Sequence, residues 1–333
     1  MADGKQKDRR SSLMPQPPHP LERQQSVPAH QPKPTADTAA LSAQQAILDS
    51  RSYRTADEDI DFLQSNGTRG VRLQLDYLKT ETLLRAHNVA HTIVVFGGTR
   101  IAEPEVVQRD LERLTAESAA NPSDDPLRRR LTVAERLHRN SRYYDVAREL
   151  GRIVGTKGRN ALDGEIMVMT GGGPGIMEAA NRGACDVGAK SIGLNIGLAR
   201  QQSPNPYVTP ELCFQFHYFA IRKLHFLMRA RALVAFPGGY GTLDEIFEVL
   251  SLAQTRKMSP VPVILVGENY WRRVFDAEFL VDEGVIDPED RDLFWFAETA
   301  DQIWRDILSW YESSGRPLLP PSERISQEQG GDS

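Results

Sequence analysis

The chain has 333 residues, and its 40 Lys and Arg against 45 Asp and Glu give a net charge of −5. With 40% hydrophobic and 26% charged residues, the composition is typical of a globular protein that carries some additional polar sequence. The acidic balance argues against a nucleic-acid polymer as partner, because phosphate backbones are bound by concentrated basic surfaces. A small anionic ligand stays compatible with it, since a single pocket can be basic.

Targeting signals and cysteines indicate the compartment. No apolar run reaches the roughly 18 residues that a membrane helix needs, so no membrane contact is expected. The basic start is not followed by the apolar region of a secretory signal. Cys185 and Cys213 form no C-x-x-C pair, so we interpret them as small core residues and not as disulfide or zinc ligands. A cytoplasmic protein is expected.

Composition divides the chain into four segments. Residues 1–45 and 315–333 are polar and proline-containing, and they cannot bury enough apolar surface to offset chain entropy. We expect both to be disordered tails. Residues 46–88 carry apolar side chains at roughly helical spacing, which predicts an N-terminal helical extension. Residues 89–314 are predicted to form the main domain.

Within the main domain, short apolar segments alternate with helical patterns. The predicted strands are 92–96, 165–170, 191–195, 232–236 and 262–266, and the predicted helices are about 140–154, 175–187, 217–231 and 242–256. Apolar strands separated by helices are typical of a parallel sheet covered on both faces. We therefore predict an α/β fold with a doubly wound parallel sheet. Residues 120–131 are interpreted as a polar surface loop.

Three of the predicted strands end in glycine pairs or triplets, which places three glycine-rich loops at the edge where such sheets bind ligands. The loop TGGGPGIME contains Gly171, Gly172, Gly173 and Gly175, whose backbone N–H groups can approach an anion at a helix N-terminus. It is neither a dinucleotide fingerprint nor a P-loop, because position 176 is Ile and no Gly-Lys-Ser/Thr follows. A tight strand-to-helix turn without a ligand explains the same residues.

A second loop, PGGYGTLDE, also joins a strand to a helix. It contains Gly238, Gly239 and Gly241, followed by Thr242, whose hydroxyl can cap the helix or bind a phosphate. Asp244 and Glu245 follow in the first turn, where the helix dipole alone would favour acidic residues. Capping is therefore the alternative to a catalytic role.

The helix before the second loop carries basic residues at helical spacing. Arg222, His225 and Arg229 stand at i, i+3 and i+7, so they share one face. A basic face beside glycine loops suits an anionic substrate. An ordinary solvated face is the alternative.

The pairing of GGGPGIME with PGGYGTLDE roughly 60 residues later resembles the LOG family of cytokinin riboside 5′-monophosphate phosphoribohydrolases, whose signature is PGGxGTxxE. The same family is also called lysine decarboxylase-like. The resemblance spans roughly residues 88–312. It implies a Rossmann-like fold, a homodimer or higher oligomer, no cofactor and no metal. It also implies hydrolysis of the N-glycosidic bond of a nucleoside 5′-monophosphate.

The resemblance further implies roles for individual residues. It assigns catalysis to Arg222 and Glu245, and phosphate and ribose binding to the two glycine loops together with Thr242. Five more residues near these motifs are candidate substrate contacts: Thr99, Arg100, Met177, Glu178 and Lys223. The chemistry is coherent, because breaking a ribosyl bond develops positive charge that a carboxylate stabilises while it orients or deprotonates water. Arg222 could hold the phosphate or orient Glu245, and the sequence does not choose between these roles.

Several alternatives stay open. The base could be adenine, an N6-substituted adenine or another purine, and the long N-terminal extension departs from short plant-type members of the family. A non-catalytic nucleotide or molybdenum-cofactor carrier on the same fold is the main alternative. A pyridoxal-phosphate decarboxylase is disfavoured, because Lys223 has no recognisable setting for that cofactor.

One predicted helix is also a candidate interface. Residues 242–256 carry apolar side chains well round the helix, which favours burial on more than one side and a place in a dimer interface. These side chains are Leu243, Ile246, Phe247, Val249, Leu250 and Leu252.

Overall fold

The computed structural model describes residues 38–197 and 203–320, in two compact units divided between Thr68 and Arg69. The first unit contains α1 (Thr38–Leu48) and α2 (Ile60–Gln64). Most of both predicted tails lies outside the described residues. Helix α1 nevertheless begins within the predicted N-terminal tail. In the predicted C-terminal tail, Leu318 and Leu319 are buried.

The second unit is an α/β domain, and its first helix comes from the predicted extension. Its helices are α3 (Arg69–Ala86), α4 (Pro104–Ala120), α5 (Asp125–Asn140), α6 (Arg142–Lys157), α7 (Ile176–Asp186), α8 (Phe219–Met228), α9 (Tyr240–Gln254), α10 (Glu268–Val274), α11 (Ala277–Asp282) and α12 (Ala300–Ser313). Its strands are β1 (His91–Phe96), β2 (Ile166–Thr170), β3 (Ser191–Ile196), β4 (Cys213–Phe216), β5 (Ala230–Ala235), β6 (Val263–Val266) and β7 (Trp295–Ala297).

The seven strands form one parallel sheet in the order β4-β3-β2-β1-β5-β6-β7. The chain builds outward from β1 to β4, returns to β5 beside β1, and then builds outward in the other direction. This is the doubly wound parallel arrangement that the sequence predicts. The change of direction lies between β1 and β5, where sheets of this kind open a crevice outside the carboxyl ends of the strands.

Side chains of the strands pack into two hydrophobic cores, one on each face of the sheet. In β1, Ile93 and Val95 belong to one core, whereas Val94 and Phe96 belong to the other, as the two-residue period of a strand requires. Helices α6, α7 and α12 cover the first face, and α3, α8, α9 and α10 contribute to the second. Both faces are therefore covered, which explains the apolar strands without polar alternation.

Helices α6 and α7 approach each other at backbone distance. A methyl group on Gly151 would strike the carbonyl of Ala180, and one on Gly183 would strike the carbonyl of Arg148. Both contacts join α6 to α7, so glycine at these two positions sets how closely the helices pack. Helix α7, which follows the first glycine loop, is held firmly in the domain because it packs so closely against α6.

Two predictions are wrong within the described residues. Residues 120–131 are not a loop throughout, because α5 begins at Asp125 with the Asp124 side chain accepting from the Leu127 N–H. Leu127 is buried against a neighbouring leucine of α4, which the charged character of the segment conceals. Cys185 is exposed and not a core residue. No helix within 38–197 or 203–320 combines the length and apolar character needed to cross a bilayer.

Candidate active site

A cleft of about 270 Å³ opens at the carboxyl ends of β1 and β5, where the winding of the sheet changes direction. Its walls come from the loop after β1, from Met177 on α7, from Phe219 and Arg222 on α8, and from residues 239–245 at the start of α9. The second motif and the basic helix thus line the cleft, whereas of the first motif only Met177 does. The predicted binding residues Gly171, Gly172, Gly173, Gly175 and Gly238 do not line it.

The first glycine loop is shaped by close packing. A Cβ atom on Gly171 would lie 2.6 Å from Nη2 of Arg222 and 2.8 Å from Sδ of Met177. Gly172 has a φ of +71° and Gly175 a φ of +76°, which other residues rarely adopt. Gly171, Gly172, Gly173 and Gly175 are all buried. Glycine at position 171 therefore lets Arg222 approach the loop.

A buried polar network fixes this loop. The Thr170 hydroxyl donates to Oδ1 of Asn181 at 2.7 Å and accepts from the Gly172 N–H at 2.9 Å. Asn205 donates from its backbone to the Gly172 carbonyl at 2.8 Å and from its side chain to the Gly173 carbonyl at 3.0 Å. Sequence reasoning missed Asn181 and Asn205. For Asn181, the only signal in the sequence is an amide next to small, apolar residues of α7.

The second glycine loop presents a helix N-terminus to the cleft. Gly239 and Gly241 line the cleft, and nothing lies within 4 Å of a Cβ built on them, so ligand atoms can approach the backbone. Thr242 also lines the cleft and packs against Gly238, where a Cβ would collide with its side chain. The Tyr270 hydroxyl donates to the Gly238 carbonyl at 2.5 Å and steadies the loop from α10. The N-terminus of α9 is therefore an accessible anion site.

Arg222 lies between the two loops. Its Nε donates to the Leu194 carbonyl at 2.7 Å, and its guanidinium lies 5.0 Å from the ring centroid of Phe226. Burial lowers the pKa of Arg222, and the nearby Glu245 opposes this decrease. The guanidinium keeps its charge at neutral pH, because arginine is not deprotonated in proteins. Arg222 also lines the cleft.

Glu245 is the buried acid of the cleft, with an exposed fraction of 6%. Burial raises its pKa to about 7, although Lys223 and then Arg222 favour the ionised form. The ammonium nitrogen of Lys223 lies 3.7 Å from Oε2 of Glu245. A carboxyl group with this pKa exchanges protons near neutral pH, as a general base requires.

The other predicted contacts separate into two groups. Thr99 and Met177 line the cleft, and Lys223 lies beside Glu245. Arg100 and Glu178 do not line the cleft. Arg100 is exposed, and the Glu178 carboxylate accepts a hydrogen bond of 3.2 Å from the Tyr144 hydroxyl.

The predicted basic face of α8 is wrong beyond Arg222. His225 is fully buried and stacks on Tyr77 of α3 with ring centroids 5.3 Å apart. Arg229 forms two hydrogen bonds of 2.9 Å with Glu81 of α3. Helical spacing predicts a shared face correctly, but α3 covers the later part of that face. The described residues contain no cluster of three or more His, Cys, Asp or Glu side chains suited to a metal ion.

Comparisons with known proteins agree with this geometry. The sequence model of a family described as "Possible lysine decarboxylase" matches residues 177–307. Cytokinin riboside 5′-monophosphate phosphoribohydrolase LOG3 of Arabidopsis thaliana is 27% identical over 193 residues, or 56% of this chain and 86% of that protein. LOG7 of the same plant, which carries the same enzyme name, is 36% identical over 116 residues, or 33% of this chain and 54% of that protein.

Among solved structures, the molybdenum cofactor binding protein from the phototrophic bacterium Rippkaea orientalis is similar at 20% identity and a TM-score of 0.35. That similarity covers 50% of this chain and 86% of the other, and it is too low to bear on function.

The doubly wound sheet and the glycine-loop cleft at its change of direction define a Rossmann-like α/β protein. Within that class, the family model and the curated relatives show that the chain is similar to the LOG family. The resemblance carried by the two motifs is thereby confirmed.

The raised pKa of Glu245 predicts a pH-dependent stability. The pKa rises from an ordinary 4.5 to about 7 on folding, so the folded state holds this proton more tightly than the unfolded chain does. The resulting stability is fully present below pH 4.5 and is lost as the pH rises through 7. Glu245→Gln removes this loss, and we expect the variant to gain up to about 3 kcal/mol over the wild type at pH 8.

Denaturant unfolding at pH 5 and pH 8 measures this difference. Glu135→Gln is the matched control, because Glu135 is an exposed acid on α5 that does not line the cleft. A Gln variant that gains no stability between the two pH values would contradict a raised pKa at Glu245.

Proposed function

We propose that the protein is a nucleoside 5′-monophosphate phosphoribohydrolase. Its substrate is AMP or an N6-substituted AMP such as a cytokinin riboside monophosphate, which water cleaves to the free base and ribose 5-phosphate. The observation that carries this proposal is the buried Glu245 beside two cationic side chains, in a cleft that also exposes the N-terminus of α9. The names of the curated relatives support the same reaction class.

The phosphate is assigned to the N-terminus of α9. Backbone N–H groups near Gly239 and Gly241, the Thr242 hydroxyl and the helix dipole together favour an anion there. The first glycine loop contributes by admitting Arg222 to the cleft, from which the guanidinium can contact the phosphate or ribose. Binding at this point fixes the distance between the sugar and the acid of the cleft.

Catalysis is assigned to Glu245 with the help of Arg222. As the glycosidic bond breaks, positive charge develops on the anomeric carbon, and the Glu245 carboxylate stabilises it. The same carboxylate orients a water molecule and accepts its proton, which its pKa of about 7 permits near neutral pH. The bond electrons leave with the base, and the water oxygen forms the new bond to the anomeric carbon.

The base is assigned to the apolar side of the cleft, which Met177 and Phe219 provide. Phe219 is the first residue of α8 and is 51% exposed, so a flat ring can stack on it at modest desolvation cost. The opening of the cleft on this side is compatible with a substituent on the base.

Base release tests the reaction. Incubation with AMP, N6-isopentenyl-AMP and other purine monophosphates should release free base, measured by chromatography. Because Glu245 acts as base and charge stabiliser, Glu245→Gln should lower kcat by about 10²-fold or more. Ribose 5-phosphate binding, measured by calorimetry, should persist in the variant because its phosphate contacts are unchanged.

Two results would contradict the proposal. Folded wild-type protein that binds these nucleotides but releases no base would favour the non-catalytic carrier. A fully active Gln variant would remove Glu245 from the mechanism.

Phe219 provides a test of the base subsite. Phe219→Ala should raise KM for AMP about 5-fold to 100-fold, because stacking of a base on an aromatic ring contributes about 1–3 kcal/mol. Inhibition by ribose 5-phosphate should not change, since that molecule has no base. The matched control is Phe247→Ala, which removes a comparably exposed ring outside the cleft. Equal loss of affinity for AMP and ribose 5-phosphate would place the base elsewhere.

We also propose that the protein is a homodimer or higher homo-oligomer, with an interface that differs from the one first expected. Of the six apolar side chains of α9, only Phe247 is exposed, because the others pack at least partly against the domain. Large exposed apolar side chains instead lie on α3 (Val71, Leu75, Leu78 and Leu83), on α8 (Phe219, Leu224 and Met228) and at Tyr240. Clustered exposure of this kind marks interaction surfaces.

Light scattering tests this assembly. The wild type should show at least twice the mass of one chain. Leu224→Glu places a charge in the exposed apolar surface of α8 and should shift the protein towards the monomer. A monomeric wild type at working concentration would contradict the proposal.

A further inference from the structure

Lys223 stands next to Arg222 on α8, but it makes a different set of contacts. Its side chain is only 15% exposed, and its ammonium lies 2.8 Å from Asp244 and 2.9 Å from Glu248. The third carboxylate of the same helix, Glu245, lies farther away at 3.7 Å. All three acids belong to α9, so one lysine joins α8 to α9 beside the cleft.

The difference in distance separates two kinds of interaction. The contacts with Asp244 and Glu248 are within the range of charge-assisted hydrogen bonds, whereas 3.7 Å to Glu245 is too long for one. Lys223 therefore acts on Glu245 through its charge and leaves the lone pairs of that carboxylate free for water. An ammonium held by two carboxylates is also poorly placed to turn towards a substrate phosphate.

We propose that Lys223 is a positioning residue, which Asp244 and Glu248 hold in place so that its fixed positive charge keeps the Glu245 carboxylate ionised without hydrogen bonding to it. This inference rests on the proposed function, in which the ionised Glu245 performs the reaction. It replaces the expectation from sequence that Lys223 contacts the substrate.

The charges around Glu245 make this role necessary. From α8 it faces Arg222 and Lys223, and from α9 it faces Glu248 and Asp244, so two cations oppose two acids. Burial raises the pKa of Glu245, and Lys223 is the strongest influence against that increase. Burial alone would lower the pKa of Lys223, but the hydrogen bonds to Asp244 and Glu248 outweigh it and raise that pKa. The ammonium therefore stays charged throughout the range in which Glu245 titrates.

The pH dependence of kcat for AMP tests the proposal. In the wild type, kcat should fall below about pH 7 as Glu245 takes up a proton. Lys223→Met keeps the length of the side chain but removes its charge. The acid limb, which is the low-pH side of the profile where kcat falls, should therefore move to higher pH by about 1 unit or more. Lys223→Arg keeps the charge and should leave the limb close to that of the wild type.

A titration independent of turnover separates this proposal from the proposed function. NMR of the protein labelled with ¹³C at the glutamate carboxyl carbons follows Glu245 directly, and the signal is assigned by its loss in Glu245→Gln. The pKa of Glu245 should be higher in Lys223→Met than in the wild type and little changed in Lys223→Arg. This shift in a protein that releases no base would support the electrostatic role and contradict the reaction.

Two outcomes would overturn the role of Lys223. One is an unchanged pKa of Glu245 in Lys223→Met. The other is a raised KM with no movement of the acid limb, which would make Lys223 a substrate contact. If Lys223→Met does not fold, as judged by circular dichroism, Lys223→Gln decides, because its uncharged amide can still hydrogen bond to Asp244 and Glu248; an unchanged pKa of Glu245 in that variant contradicts the role of the charge.

Discussion

The constraint on which the site depends is the burial of one carboxylate, Glu245, among fixed charges at the place where the sheet changes direction. Helix α8, strand β5 and helix α9 follow one another in the chain, so the strand sets the separation of the two helices. The early part of α8 and the first turn of α9 meet at the carboxyl edge. Cations and acid therefore face each other through connectivity alone, and a local change in β5 would alter both sides together.

The rest of the domain keeps this edge in place. The first glycine loop is fixed by hydrogen bonds with Thr170 and Asn205. Asn181 accepts from both of these side chains, and all three residues are buried. The second is steadied by Tyr270, which lies on a helix that neither motif contains. Buried amides are costly unless they are hydrogen bonded, and Asn181 and Asn205 meet this condition through their contacts with Thr170, Gly173 and each other.

Much of the fold follows from the sequence, because buried parallel strands have a strong pattern. Strands β1, β2, β3, β5 and β6 are predicted within one or two residues. The two edge strands are missed, because β4 has four residues and β7 has three, and both are partly exposed. Helices α4 and α5 bury few side chains and are so highly charged that their sequence does not distinguish them from a loop.

The candidate site was predictable where chemistry and close spacing coincide. The association of Arg222 with Glu245 follows from two motifs that flank one strand. The position of His225 does not follow, since helical spacing defines a face but not the helix that covers it. Nor can a motif tell whether a glycine is open to the cleft, as Gly239 is, or makes room for a neighbouring side chain, as Gly171 does. That distinction depends on residues far away in the chain.

The close contact between α6 and α7 has a consequence for how the substrate range of the protein can change. With backbone against backbone at Gly151 and Gly183, α7 has no room to slide or tilt, and Met177 at its start is held with it. One wall of the cleft is thus invariant in position. Phe219 on the opposite wall is half exposed and begins its helix, so it can be replaced without repacking a core. Under the proposed function, base preference is therefore expected to change through substitutions on α8, while Met177 on α7 keeps its position.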